Sequence, residues 1–573
     1  MTRVETSPPD LARRRKDVGG EVSGARRTRA LLTLFLVVGA ALHAAYIIHH
    51  RVNSDEPQHL HIAWAWVHGL LPYRDVFDNH SPLFSLLMAP IVRAIGERPD
   101  IVILARLAMV PFALFTLLMT WAIGRRLFSE HAALLAVALV ALVPDFMLGS
   151  IEYRTDQLWT GLWMAAMAVI LLGRVTRARS FMFGLALGSA LGASMKTSLW
   201  IVSVAAGIAA CVVLLRRRSV RSRPSWVAER ALLALGGMAI VPGLLALFFA
   251  AHGAWRPMAY CVLWHNVVPN LGFWHGAPYR ALLIPAALPL LWIVARRIVD
   301  GSRDPAKGAR RALLFLTAGV YYVALEGFWP LVTRQDLLPF LPLGAVIIAP
   351  TLLGFAEAAG RRASTPWMAR FLMFAPALAL VLEIAWTQHV EASWRENGVG
   401  AEVSFLSQVL RLTRPSEPVM DLRGEMIFRP RAYYYALEAV TLARIANGVI
   451  PDDISARLIA TRTAVAVLDT PDFPERSRAF MNENYFPYGD LRVAGKSIGR
   501  EDGRGARRFE IGIPQSYAVV CEHGPATGLL DGAPYRGPRE LAPGWHTYAG
   551  PEAEGRTIVL WSEAVARIGS PFR

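Results

Sequence analysis

Long apolar blocks fill the chain up to about residue 390 and then stop. A helix that crosses a bilayer needs about 17–25 such residues. By that measure the pattern predicts eleven spans, near 30–48, 101–124, 131–149, 158–173, 181–195, 198–215, 231–251, 281–295, 312–328, 337–355 and 370–387. The fifth and sixth are short and meet at Lys196–Thr197. Fusing them into one tilted helix would swap the loops on either side, and both loops are basic, so a hairpin is expected. Between the first two spans, 49–100 forms a long outer loop. Its stretches 57–72, with Trp64 and Trp66, and 82–96, opened by Pro82, predict amphipathic helices lying in the interface. Beyond 389 the pattern changes. Residues 389–511 read as an α/β domain, with a helix over 432–445, another opened by Pro451-Asp452-Asp453, and a strand over 464–468. Residues 512–573 read as a small β-sandwich of short strands, with Asp531-Gly532 as a hairpin signal. Trp545 and Tyr548 are expected in its core rather than against a sugar.

Composition sharpens this reading. The 573 residues carry a formal net charge of +16, with 54% hydrophobic and only 18% charged residues. These values exclude a disordered chain, a disulfide-stapled module and a purely soluble enzyme. A nucleic-acid binder would account for the charge but not for the apolar runs. Three cysteines, Cys211, Cys261 and Cys521, make no framework and have no metal-site spacing. Lys and Arg cluster after alternate spans, at Arg125–Arg126, 174–179, 216–223, 296–311 and Arg361–Arg362. The other loops hold isolated cations: Arg154, Lys196, Arg256, Arg280 and Arg334. By the positive-inside rule the basic segment 1–29 is cytoplasmic, the spans fill 30–388, and the domain after 389 is extracytoplasmic. The run 30–48 is too long for a signal peptide and no small-residue cleavage site follows it.

Acids gather on the opposite, outer side. Asp55 and Glu56 follow the first span, and Asp75 and Asp78 lie further along the same loop. Glu152 and Asp156 bound the next outer turn, and Glu326 and Asp336 flank the last. Carboxylates collected at one membrane face beside a few cations look like a site rather than loop solvation.

These residues carry a family resemblance. The local patterns are Asp55-Glu56, Asp78-Asn79-His80-Ser81-Pro82-Leu83, Arg154-x-Asp156, the turn lysine in Gly192-Ala193-Ser194-Met195-Lys196, and Arg334-x-x-Leu337-Leu338-Pro339. In their order and on their shared side, they resemble the multispan glycosyltransferases of the protein O-mannosyltransferase and aminoarabinose-transferase superfamily. The closest look is to the bacterial branch that glycosylates lipopolysaccharide or other envelope acceptors. The resemblance covers roughly 30–350. It implies a GT-C type polytopic α-helical fold and inverting transfer from a polyprenyl-phosphate-linked sugar to an envelope glycan, lipid or protein at the outer face of the inner membrane. Aminoarabinose transferases tend to have Lys-Pro-Pro where this chain has His80-Ser81-Pro82, which leaves the mannosyltransferase-like form closer.

Such a site needs a base for the acceptor hydroxyl and cations for the leaving phosphate. Asp55 is the expected base and Glu56 its supporting acid, or a cap on the helix ahead of Pro57. Asp156 is a second carboxylate, or the N-cap of its span. Lys196, Arg334 and His80 are the candidates for the donor phosphate, and Asp78, Arg154 and His265 for acceptor or sugar. Glu56, His59 and His265 are the candidate ligands if a divalent metal is bound. Membrane lipids are the remaining expected partner, and nucleic acid is not one. The rival classes are a lipid or sugar transporter or flippase, an O-antigen-ligase-like enzyme, and a non-enzymatic envelope-assembly protein whose outer domain is the functional part.

Overall fold

The computed structural model describes residues 8–216, 224–267, 304–329, 332–391, 397–468, 471–499, 506–550 and 555–572. The span expected over 281–295 and Arg280 lie outside these residues. The chain divides into two compact units. One comprises 1–50, 109–245 and 273–396; the other comprises 51–108, 246–272 and 397–573.

Helices occupy the remaining apolar blocks. They are α1 (Pro8–His49), α4 (Ile101–Leu127), α5 (Glu130–Leu142), α6 (Pro144–Gly149), α7 (Thr155–Leu171), α8 (Arg177–Ala193), α9 (Thr197–Arg216), α10 (Pro224–Ala251), α12 (Pro305–Phe328), α13 (Phe340–Arg362), α14 (Pro366–Met373) and α15 (Ala375–Val390). Among the described residues, four helical stretches are long and apolar enough to cross a membrane: Arg29–His49, Ile101–Leu127, Ser225–Ala251 and Phe340–Arg362. Leu232 and Leu244 on α10 are 68% and 62% exposed, a surface suited to lipid rather than water. The block 131–149 is not one helix. Val143 is extended (ψ 133°) ahead of Pro144, in keeping with the bias against the helical conformation that proline's ring places on the residue before it. The chain breaks at Lys196 rather than forming one long helix, with α8 ending at Ala193 and α9 starting at Thr197.

Within the first unit α7 packs on α8, α9 on α12, and α5 on α13. Gly184 and Gly188 let α8 lie directly on α10. A side chain at either would run into the carbonyl oxygens of Ala234 and Met238. Small residues permit this approach, and it is the usual source of helix association where apolar burial gives little gain.

The second unit joins the outer loop to the C-terminal region. It contains α2 (Asp55–Val67), α3 (Leu83–Ile95), α11 (Trp255–Ala259) and everything after 397. The helix α2 is not the amphipathic interface helix expected. Every residue from Glu56 to Ala65 is buried. Trp64 is buried too and donates to Glu97 at 3.0 Å. In contrast, α3 keeps exposed Leu86 and Leu87.

The C-terminal region contributes α16 (Gly398–Leu412), β1 (Val419–Met420), α17 (Ala439–Ala446), α18 (Ile454–Ala460), β2 (Val465–Val467), α19 (Glu475–Asn484), β3 (Tyr485–Tyr488), β4 (Leu491–Ser497), β5 (Arg507–Ile511), β6 (Gln515–Cys521), β7 (Leu529–Leu530), β8 (Ala533–Pro534), β9 (Arg539–Leu541), β10 (Gly544–Ala549), β11 (Thr557–Trp561) and α20 (Ser562–Arg567). One sheet runs β1-β2-β4-β11-β6-β9, with β3 also on β4; the other runs β5-β10-β7-β8. Strands from both sides of residue 512 share each sheet: β4 pairs with β11, and β5 with β10. The sandwich expected over 512–573 is therefore continuous with the preceding α/β part through β-ladders and one core. The helix expected over 432–445 is shorter, because Glu438 accepts from the amides of Val440 and Thr441 and caps α17 there. Asp531 and Gly532 turn the β7–β8 hairpin with φ of 53° and 74°, the pair of left-handed residues such a tight turn demands. Tyr548 is buried as expected, but Trp545 is 62% exposed, with the Arg508 guanidinium over its ring.

Candidate active site

The candidate residues fall into two groups, one in each unit. In the second unit α2 starts at Asp55, so Asp55 and Glu56 stand in its first turn. Neighbouring helical residues point about 100° apart, and these two acids meet different surroundings. Glu56 is fully buried. Its Oε1 and Oε2 accept from Nε and Nη2 of Arg106 at 2.8 and 2.6 Å, and Oε2 also accepts the Asn53 amide at 3.0 Å. The bidentate pair is well suited to burying a charge, and the amide contact ties Glu56 to the segment just before α2, although no side-chain bond caps the helix itself. The Asp55 side chain is 25% exposed, and its Oδ1 lies 3.5 Å from Arg423 Nη1.

One turn along α2, the His59 ring lies 4.4 Å from the His80 ring and 5.3 Å from Phe84. Asp78 is buried, and its Oδ1 lies 3.0 Å from both the His80 amide and His80 Nδ1. Gln58 donates to Asn79 at 3.1 Å. The Asp-Asn-His motif is thus folded against the first two turns of α2. Burial pushes the His61 imidazole below its ordinary pKa, and its Nδ1 lies 2.9 Å from the Ile427 carbonyl, so the neutral ring donates from that nitrogen.

His265 is not available to a ligand through its Nε2. The residue is fully buried and that nitrogen lies 3.0 Å from Glu438 Oε1. Burial raises the Glu438 carboxyl, but the hydrogen bonds from His265, the Val440 amide and Thr441 outweigh it and hold the group below its usual range. The donors considered for a divalent ion do not converge. Glu56 is committed to Arg106 and His265 to Glu438. Among the described residues no three His, Cys, Asp or Glu are grouped to hold a metal.

In the first unit the charged groups stand at helix ends. Arg154 is the residue before α7, and its Nε lies 3.0 Å from Asp156 and 3.8 Å from Glu152. Asp156 sits in the first turn and pairs with Arg154; it is not the N-cap. Lys196, in the α8–α9 turn, pairs with Asp336. Asp336 is buried and also accepts from the Thr333 amide and hydroxyl at 2.7 and 3.0 Å. Arg334 is exposed on the same short 3₁₀ turn, Arg334–Leu337. Tyr321 donates to the Asp336 carbonyl at 2.6 Å and stacks on Trp200, which stacks on Trp163.

Sequence reasoning missed Arg106, Arg423 and Glu438. Each acts across 50 or more residues, and no local pattern announces such a partner. Asp336 was visible as an outer-side acid inside the Arg334 motif, but not as the partner of Lys196.

Residues 79–244 match the family described as dolichyl-phosphate-mannose-protein mannosyltransferase. Among solved structures, the chain is similar to ArnT from Cupriavidus metallidurans bound to undecaprenyl phosphate, with a TM-score of 0.54 and 13% identity over 82% of this chain and 96% of that one. The apo state of the same protein matches with a TM-score of 0.54 and 14% identity over 81% and 98%. No curated protein matches by sequence. The chain is a membrane protein with the GT-C fold of ArnT, and over residues 79–244 it carries the pattern of the mannosyltransferase family.

Proposed function

We propose that this protein is an inverting glycosyltransferase that moves a sugar, mannose-like in class, from a polyprenyl-phosphate donor to an envelope glycan, lipid or protein. The observation that carries the reading is the ArnT fold, seen there with undecaprenyl phosphate bound, together with the family match. The proposed setting is the outer face of the inner membrane, with eleven spans, a cytoplasmic N-terminus and an extracytoplasmic C-terminal region.

The chemistry is a single displacement. The Asp55 carboxylate takes the proton of the acceptor hydroxyl as that oxygen bonds to the anomeric carbon. The bond from that carbon to the phosphate oxygen breaks, and polyprenyl phosphate leaves with the electron pair. One displacement inverts the anomeric centre. The proposed partners of the leaving phosphate are Lys196, which pairs with buried Asp336, and Arg334. Asp78 fixes the His80 ring beside α2. Asp156 and Arg154, paired with each other, serve the acceptor side. Glu56 supports the site by anchoring the start of α2 on Arg106 rather than by meeting substrate.

The acceptor is identified by mass spectrometry of envelope glycolipids, glycans and glycoproteins from wild-type and deletion strains. The expected result is a species lighter by one sugar in the deletion strain, restored by the gene in trans. Identical envelopes would contradict the reading.

A further inference from the structure

The start of α2 is held by a loop some 370 residues further along the chain. Arg423 Nη1 donates to Ser54 Oγ at 2.6 Å and lies 3.5 Å from Asp55 Oδ1. The next residue, Gly424, has φ +112°, and a Cβ there would stand 2.9 Å from the His61 Cβ. Only glycine lets the loop lie this close to the helix. Ile427 offers its carbonyl to His61, and Arg429 Nη1 bonds Glu97, which also receives the Trp64 indole. The loop is braced from within. Asp421 accepts from the amides of Gly424 and Met426 and from Arg431, at 3.1, 2.9 and 2.7 Å. The Glu425 carboxylate accepts the Arg423 amide at 2.8 Å. Arg423 is therefore presented to Asp55 from a rigid mount rather than from a loose surface chain.

We propose that Arg423 is a positioning residue for sugar transfer: the C-terminal domain supplies the cation that fixes the carboxylate of the candidate base. This rests on the reading of Asp55 as that base. A carboxylate at the end of a helix has several rotamers, and only some of them direct an oxygen at the acceptor hydroxyl. The guanidinium selects among them by holding Oδ1, while Ser54 holds the guanidinium. The C-terminal domain then orients the candidate base.

The test adds purified full-length protein to membranes of the deletion strain, which hold native donor and acceptor, and follows the product by mass spectrometry. Arg423→Ala is expected to slow transfer roughly 10- to 100-fold, the usual cost of a misplaced reacting group. Millimolar methylguanidinium should restore much of the rate, and Arg423→Lys should fall between. If the alanine variant unfolds, Arg423→Lys and Arg423→Gln carry the comparison, with lysine keeping more activity than glutamine. A folded Arg423→Ala at the wild-type rate would overturn the proposal, as would a loss that methylguanidinium leaves untouched. Wild-type protein that glycosylates nothing would instead remove the underlying reading of the site.

Discussion

At the residue scale the informative contrast is between Asp55 and Glu56. They are adjacent, both acidic and both at the start of α2, yet one is 25% exposed and the other fully buried against Arg106. Removing one partner of a buried ion pair strands the other charge, which costs about 3–5 kcal/mol. Arg106→Met should therefore lower the thermal stability of the detergent-purified protein sharply. Asp55→Asn should change it by no more than about 1 kcal/mol, because its pair with Arg423 is partly solvated. Equal effects on the melting curve would undo this division of roles. The acidic pair itself was legible in the sequence. Which member was buried was not, because Arg106 is the deciding partner and lies 50 residues away.

At the element scale, α16 carries a testable oddity. Burial, with Glu425 and Glu56 nearby and only partly offset by Arg106, pushes the Glu402 carboxyl up to about 8. Its Oε1 is buried without a hydrogen bond. The unfolded chain releases this proton near the ordinary value of 4.5. Between that pH and about 8 the unfolded state is ionised while the folded state stays protonated, so this group makes stability fall as pH rises through the window. Glu402→Gln should remove that slope. The variant gains on wild type from pH 4.5 upward, and the gain levels off above pH 8. A difference independent of pH would contradict the assignment. Element positions were largely legible: the apolar blocks among the described residues became helices, the Asp-Gly turn became a hairpin, and the Lys196 turn separated two helices. The failures have local causes that periodicity does not register. Pro144 divides one block, Glu438 delays a helix start, and α2 is buried on all sides where its sequence suggested one wet face.

At the scale of the whole molecule, the +16 net charge and the long apolar runs gave the membrane class, and the ordered outer-side motifs gave the family resemblance. The grouping of the chain was not legible. Residues 51–108 belong with the C-terminal region rather than with the helices that flank them in sequence. That arrangement depends on contacts such as Arg423–Ser54, Arg429–Glu97 and Ile427–His61, each formed across more than 300 residues. Nor did the sequence show that the strands around residue 512 form shared sheets, since register between distant strands is settled by packing.

The most direct test of the account is the rate of sugar transfer by purified Asp55→Asn protein, assayed on membranes of the deletion strain beside wild type at equal amount and equal melting temperature. A general base contributes about 10²- to 10⁴-fold. The folded, inserted variant is expected to lose transfer by at least about 100-fold. Wild-type turnover by that variant would show that Asp55 is not the base.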